Sequence, residues 1–511
     1  MPTTIAWYEV APIPMPIYPI FMVVNVLLAS LPFLFDRLLT HRFQNDGISP
    51  FFSTLVYPLA STAVEYLLMA DGPLGSFGAG AYSQADFAAL AQLSSVTGLW
   101  GITFLVSWFA SVVNWAWERG FVWKYVWRGA AIYAAILAVT LLFGVTRLFS
   151  APDVAETVTV ASFTAVEIHP EQLFPLVESD LAAFRTETTQ THQRYLDQTV
   201  QLAQEGAQIV LWPELAGTGL ADDVQALLTR GQAIAREEGI YLAMPTMSFF
   251  PDEDRPDENI LFVADPSGEI VLEHVKYGGN LLEGTLLGNR VLQTVETPFG
   301  TLSGVICWDT DYPTVIQQAG QLGVDILLSP AYLWPEIGEL HADMAAFRAI
   351  ENGVTVIRQA DQGVSRYIDP FGRTLVSADH AANERVIVAT IPTAGIATLY
   401  PQIGDIVGKR PLSVSGDVGL GDPVRTQART IRGFLTSRNR KHQRHVEPPD
   451  DEKENRCRHD QSNASSVGQG RAGAAANRNV DAARFEAQDR GSRGWPIHDG
   501  ERPEESRSLL R

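Results

Sequence analysis

The chain is 511 residues long, carries a formal charge of −20 and is 46% hydrophobic. That acidity argues against nucleic acid as a main partner, and two cysteines, Cys307 and Cys457, exclude a disulfide framework. The length suits two or three domains, and the average composition hides three regimes: strongly apolar to about residue 150, mixed to about residue 408, and polar beyond.

Four apolar segments approach the roughly 20 residues that a bilayer span needs. They run over Met15–Phe35, Phe51–Ala70, Ser95–Trp117 and Gly129–Arg147. The first follows the proline-rich approach Pro12-Ile13-Pro14-Met15-Pro16, with no basic start, so it does not read as a signal peptide. Loop 36–50 carries Arg37 and Arg42, and loop 118–128 carries Arg119, Lys124 and Arg128, whereas loop 71–86 has no Lys or Arg. The positive-inside rule then places the first and third loops in the cytoplasm. Everything after Arg147 falls outside, and so does the N-terminus, an awkward start that suggests missing upstream spans. Glu65 lies within a span, where a carboxylate is expensive; it faces other helices, in a functional or a structural role.

From Thr157 the hydrophobic period changes. Short apolar runs at strand length alternate with helical patterns, which predicts sheets covered by helices. Strands are expected at Val158–Phe163, Ile209–Glu214, Ile240–Met247, Val324–Ser329 and Val354–Gln359. Helices are expected at His192–Gln208, Asp223–Glu238 and Glu339–Asn352. Hairpins turn at Asp265-Pro266-Ser267-Gly268, Phe299-Gly300 and Asp369-Pro370-Phe371-Gly372. From about Lys409 no period favours helix or strand, and disorder is the expectation for residues 409–511.

Three residues share one kind of position. Glu214 ends a buried strand after Trp212-Pro213, Lys276 ends a hairpin arm, and Cys307 ends the run Gly304-Val305-Ile306. Singly, each has a plain structural reading: a rim acid, a solvated lysine, a packed thiol. Together they make a set for acyl transfer. A thiol with its ordinary pKa of about 8.5 needs a base, and a carboxylate can serve. An ammonium can then stabilise the thiolate and a tetrahedral oxyanion. The corner before a helix also favours a thiolate at Cys307.

Trp212-Pro213-Glu214, Lys276 and Cys307 resemble the Glu-Lys-Cys triad of the nitrilase, or carbon–nitrogen hydrolase, superfamily. The resemblance implies an αββα sandwich over roughly residues 155–395. With the spans in front, the chain is more specifically similar to the apolipoprotein N-acyltransferases. Gln92-Leu93-Ser94-Ser95-Val96-Thr97-Gly98-Leu99-Trp100-Gly101 resembles that family's loop entering a span. His341-Ala342-Asp343-Met344 and Phe347-Arg348-Ala349-Ile350-Glu351-Asn352-Gly353 resemble its helix after the catalytic strand. Asp369–Arg373, Thr398-Leu399-Tyr400 and Gly404-Asp405 resemble its closing segments. The layout expected is an α-helical membrane domain of four spans over 1–150, a nitrilase-like α/β catalytic domain over 151–408, and the disordered tail.

What the resemblance implies is a multi-pass plasma-membrane enzyme with its catalytic domain on the extracytoplasmic face. Glu214 would be the general base, Cys307 the nucleophile that takes an acyl chain from phospholipid as a thioester, and Lys276 the oxyanion holder. The acceptor would be the N-terminal amine of a lipoprotein. A second glutamate between Lys276 and Cys307 is usual; Glu283 is the candidate and Glu296 the lesser one. No cofactor and no metal is expected, and the oligomeric state is left open.

The chain departs from the family at Cys307-Trp308-Asp309, where Cys-Tyr-Glu is usual, and at Tyr277-Gly278-Gly279-Asn280, which replaces a basic, proline-containing motif. The final span expected after Gly404-Asp405 is replaced by the polar tail. Two further readings stay open: a membrane-anchored amidase or nitrilase that passes the acyl group to water, and a non-catalytic scaffold.

Overall fold

The computed structural model describes residues 18–45, 51–150, 156–279, 283–333, 335–380 and 385–404. The start of the first expected span, Asn280, Asp405 and the whole 409–511 tail with Cys457 lie outside the described residues.

The helical part opens with α1 (Tyr18–Asn45), which runs well past Phe35 because Asp36, Arg37 and the residues after them continue the helix. The expected second span is divided. A 3₁₀ turn at Phe52–Leu55 leads into α2 (Val56–Met69), only 14 residues long. Next come α3 (Leu99–Trp117) and α4 (Trp123–Phe149). Among the described residues three helices are long and apolar enough to cross a membrane: α1 through Val23–Thr40, α3 and α4. Their outward faces carry bare apolar side chains, such as Leu27, Phe33, Val139 and Leu142, all more than half exposed. Lipid is the medium in which such faces are stable. Glu65 on α2 faces other helices: its Oε1 accepts from the Gly80 amide and the Thr103 hydroxyl, both at 3.0 Å, tying α2 to α3 and to the loop between them.

The α/β part has two sheets. One is ordered β13-β1-β2-β4-β5-β6, with β3 paired to β4; the other is β12-β11-β10-β9-β8-β7. The strands of the first are β1 (Thr157–Phe163), β2 (Ile209–Leu211), β3 (Gly217–Leu220), β4 (Tyr241–Phe249), β5 (Glu258–Ala264), β6 (Ile270–Val275) and β13 (Val386–Pro392). Those of the second are β7 (Thr294–Thr297), β8 (Gly300–Gly304), β9 (Ile326–Tyr332), β10 (Thr355–Asp361), β11 (Val364–Ile368) and β12 (Thr374–Asp379).

Val160, Leu211 and Leu261 of the first sheet share one buried cluster with Leu302, Leu328 and Ile357 of the second, so the sheets pack face to face. Helices α5 (Leu181–Gln204) and α6 (Ala221–Glu238) cover the first sheet, and α7 (Pro313–Gln321) and α8 (Gly338–Asn352) the second. The result is the expected αββα sandwich. Helix α5 starts eleven residues before the expected His192, at Leu181, because Asp180 caps it by accepting from the Ala183 amide at 3.0 Å. That first stretch, with four threonines between 186 and 191, is too polar to show an apolar period.

Helix α8 joins the two parts. Met344, Phe347 and Ile350 pack into the cluster built by α3 and α4, while Ala345 and Ala349 pack against α7. Its Glu351 carboxylate accepts from the Leu99 amide at 3.0 Å, capping the start of α3.

Candidate active site

Glu214 lies three residues beyond β2, on the rim of the first sheet, and is 3% exposed. Both its oxygens are engaged. Oε1 accepts from Lys276 Nζ at 2.7 Å and Asn259 Nδ2 at 2.8 Å, and Oε2 accepts from the Tyr332 amide at 2.9 Å. Lys276 follows β6 directly and is 2% exposed. Its ammonium also donates to Glu283 Oε1 at 2.5 Å. Glu296 sits apart on β7 and accepts instead from Thr301. Burial alone would drive the Lys276 pKa down, but Glu214 and Glu283 outweigh it and hold it well above the ordinary lysine value.

Cys307 opens a 3₁₀ turn, Cys307–Asp311, rather than ending a strand; β8 stops at Gly304. Its φ is +47°, a left-handed conformation that costs a non-glycine residue about 1–3 kcal/mol. Leu215, after Glu214, and Gln362, after Asp361, share this property. The thiol is 4% exposed and lies 3.5 Å from the Tyr332 carbonyl, whose own amide donates to Glu214. Burial and the Glu214 charge push its pKa well above the usual thiol value, against Lys276 and Arg358. Both causes work against the helix-terminus thiolate expected there. The turn is too short to supply the field of a helix end, and desolvation wins. Such a thiol needs its proton taken at the moment of attack.

Asp309 proves to be the anchor of the site. Its Oδ1 accepts from the Tyr277 and Gly278 amides at 2.9 and 2.6 Å, and its Oδ2 accepts from the Ile306 amide at 2.9 Å and meets His274 Nε2 at 2.7 Å. One fully buried carboxylate thus fixes the backbone after Lys276 to the backbone before Cys307. Burial opposes its charge, but His274 and these amides outweigh it and hold its pKa below the ordinary aspartate value. Gly278 is required by the close approach: a Cβ there would lie 2.5 Å from the Trp308 carbonyl carbon.

The helical part reaches the same turn. The Ser76 amide and hydroxyl both donate to the Asp311 carbonyl, at 2.6 and 2.7 Å. Tyr82 shares a hydrogen bond with the Ser76 hydroxyl at 2.7 Å, and Arg348 of α8 donates to the Tyr82 hydroxyl at 3.3 Å. Sequence reasoning missed Asn259, Tyr332, Ser76 and Arg358. Each sits in an unremarkable polar or apolar run, and only the fold brings it to the site. Among the described residues no cluster of ligands suited to a metal is present.

The structure therefore brings Glu214, Lys276, Glu283 and Cys307 to one point, a buried cation between two carboxylates beside a thiol. Known proteins share sequence and domain order with the chain. Residues 176–400 match the carbon–nitrogen hydrolase family, and residues 3–112 match the apolipoprotein N-acyltransferase N-terminal domain. Among curated relatives, the apolipoprotein N-acyltransferase of Bradyrhizobium diazoefficiens is 26% identical over 69% of this chain and 71% of its own. That of Geobacter metallireducens is 24% identical over 72% and 73%. An amidase from Nesterenkonia sp. of known structure aligns at 21% identity and a TM-score of 0.38, covering 49% of this chain and 94% of its own. The two matched domains follow one another along the chain, and over about seven-tenths of its length it is similar to apolipoprotein N-acyltransferases.

Proposed function

We propose that the protein is a membrane N-acyltransferase that moves an acyl chain from phospholipid, through a thioester on Cys307, to the N-terminal amine of a lipoprotein. The observation that carries this reading is the buried Lys276, bound by Glu214 and Glu283 beside the Cys307 thiol, in a chain whose helices present bare apolar faces.

In the first half-reaction Glu214 takes the Sγ proton as sulfur attacks the ester carbonyl carbon. The C–S bond forms, and Lys276 Nζ donates to the oxyanion. Collapse breaks the ester C–O bond, and Glu214 returns its proton to the departing oxygen, releasing a lysophospholipid. In the second half-reaction an amine attacks the thioester, the C–N bond forms, the C–S bond breaks, and the amine's proton passes through Glu214 to the sulfur. Glu283 holds Lys276 in line throughout.

The domain layout and orientation follow from the same reading. Residues 1–150 form the membrane part, with four crossings if α2 and its preceding turn count as one. Residues 151–408 form the catalytic domain on the extracytoplasmic face, and 409–511 the tail. The basic residues Arg37, Arg42, Arg119, Lys124 and Arg128 then lie on the cytoplasmic side. The test is to incubate the purified protein with phospholipid and then with a lipidated cysteinyl peptide. N-acylated peptide supports the reading; free fatty acid as the only product would instead make the protein a hydrolase.

A further inference from the structure

A small, partly open cleft reaches Glu214 from beneath the segment that follows β1. Its lining combines apolar side chains, among them Val166, Ile168 and Leu173, with Glu214, Asp361 and Tyr332. No Lys or Arg lines it.

Asp361 is the unusual member. It is 1% exposed at the end of β10. Its Oδ1 accepts from the Thr164 hydroxyl at 2.9 Å, but its Oδ2 has no hydrogen-bond donor. His169 and His380 flank it, with ring nitrogens 3.9 Å from Oδ2 and 3.3 Å from Oδ1. The Tyr332 hydroxyl beside it donates to Glu171 and accepts from Gln362. A buried carboxylate oxygen without a donor is costly unless a ligand supplies one. Here it lies in a cleft whose other charged group is a second carboxylate. The fitting ligand group is therefore a small hydrogen-bond donor, cationic or neutral.

We propose that this cleft is the subsite for the acceptor amine, with Asp361 and Glu214 receiving its N–H groups and the rest of the acceptor lying outside the cleft. The assignment rests on the acyltransfer reading. A primary α-amine has a pKa of about 7.7–8.0, so much of it arrives as an ammonium. The ammonium passes one proton to solvent through the carboxylates. The free amine attacks the thioester carbon, and Glu214 carries the second proton to the departing Cys307 sulfur. Asp361 is a positioning residue for the second half-reaction and takes no part in the first.

The two half-reactions can be timed separately on the full chain in detergent. Dioleoyl phosphatidylethanolamine serves as donor, and a synthetic peptide with an N-terminal S-diacylglyceryl-cysteine as acceptor. Asp361→Asn is expected to load acyl chain at the wild-type rate but to discharge it to the peptide roughly ten- to a hundredfold more slowly, the span of one charge-assisted hydrogen bond. Thr191→Trp, which fills the cleft from α5, is expected to show the same split without touching a carboxylate. Wild-type discharge in Asp361→Asn would overturn the proposal, as would slowed loading in Thr191→Trp, because the cleft would then hold the donor chain. Failure of the acyltransfer reading looks different: the wild-type protein itself would form no adduct or would lose it to water.

Discussion

At the residue scale the site depends on charge placed where water is excluded. Removing Cys307 as alanine should abolish turnover, and serine should nearly do so, because a hydroxyl is a far weaker nucleophile beside the same base. Lys276→Ala should cost on the order of 10²–10³ in rate, as for other lost oxyanion donors; steady-state kinetics with an unchanged rate would remove it from that role. Asp309 offers a pH test. Its pKa is held below the unfolded value of about 3.9, so its contribution is complete above that pH and is lost as pH falls through the lower, folded value. Asp309→Asn should therefore lower the thermal midpoint at neutral pH and flatten its decline below about pH 4. Melts that decline in parallel in both proteins would contradict this. That Glu214, Lys276 and Cys307 come together was legible in the sequence, because each follows an apolar run of strand length. The left-handed Cys307 and the anchoring Asp309 were not: a backbone angle leaves no mark on a residue's identity, and the Cys-Trp-Asp triplet read only as a shortened side chain.

At the element scale, the turn carrying Cys307 is gripped from two directions. The loop after Lys276 binds it through Asp309. Arg290, farther along that loop, donates to Asp71 and Thr314 and stacks over Tyr277 at 4.6 Å. The loop between α2 and α3 binds it through Ser76. Gly75 there has φ +57°, and a Cβ would lie 2.5 Å from the Asp311 carbonyl oxygen. Gly75→Ala should therefore destabilise by about 1–2 kcal/mol from backbone conformation alone and displace the Cys307 turn. Reduced acyl loading with unchanged far-ultraviolet dichroism is the expected signature; full activity would show that the loop does not position the turn. The hairpins and outer helices were readable from turn residues and apolar period. Strand β3, Gly217–Leu220, was not, since Gly-Thr-Gly-Leu has no strand pattern and is set by its pairing to β4. The division of Phe51–Ala70 was equally hidden, because hydropathy reports burial in lipid and not helix continuity.

At the scale of the whole molecule, a helical part with apolar outer faces and a two-sheet sandwich meet across α8. The buried Arg348–Glu351 pair, 3.1 Å apart, lies at that junction, and its separation from either side would leave buried charge uncompensated. The orientation proposed for the membrane is open to labelling. In a chain lacking Cys307 and Cys457, a cysteine at Ser83 should react with a membrane-impermeant maleimide added to intact cells, and one at Val122 should not. Both positions are exposed, so the reverse pattern would invert the topology.

The most direct test of the central claim is the intact mass of the purified protein after incubation with phospholipid alone. An increase of one acyl chain, absent in Cys307→Ala and discharged by a lipidated cysteinyl peptide but not by water, is the expected result. An unchanged mass in the presence of a donor that supports peptide acylation would contradict a thioester on Cys307.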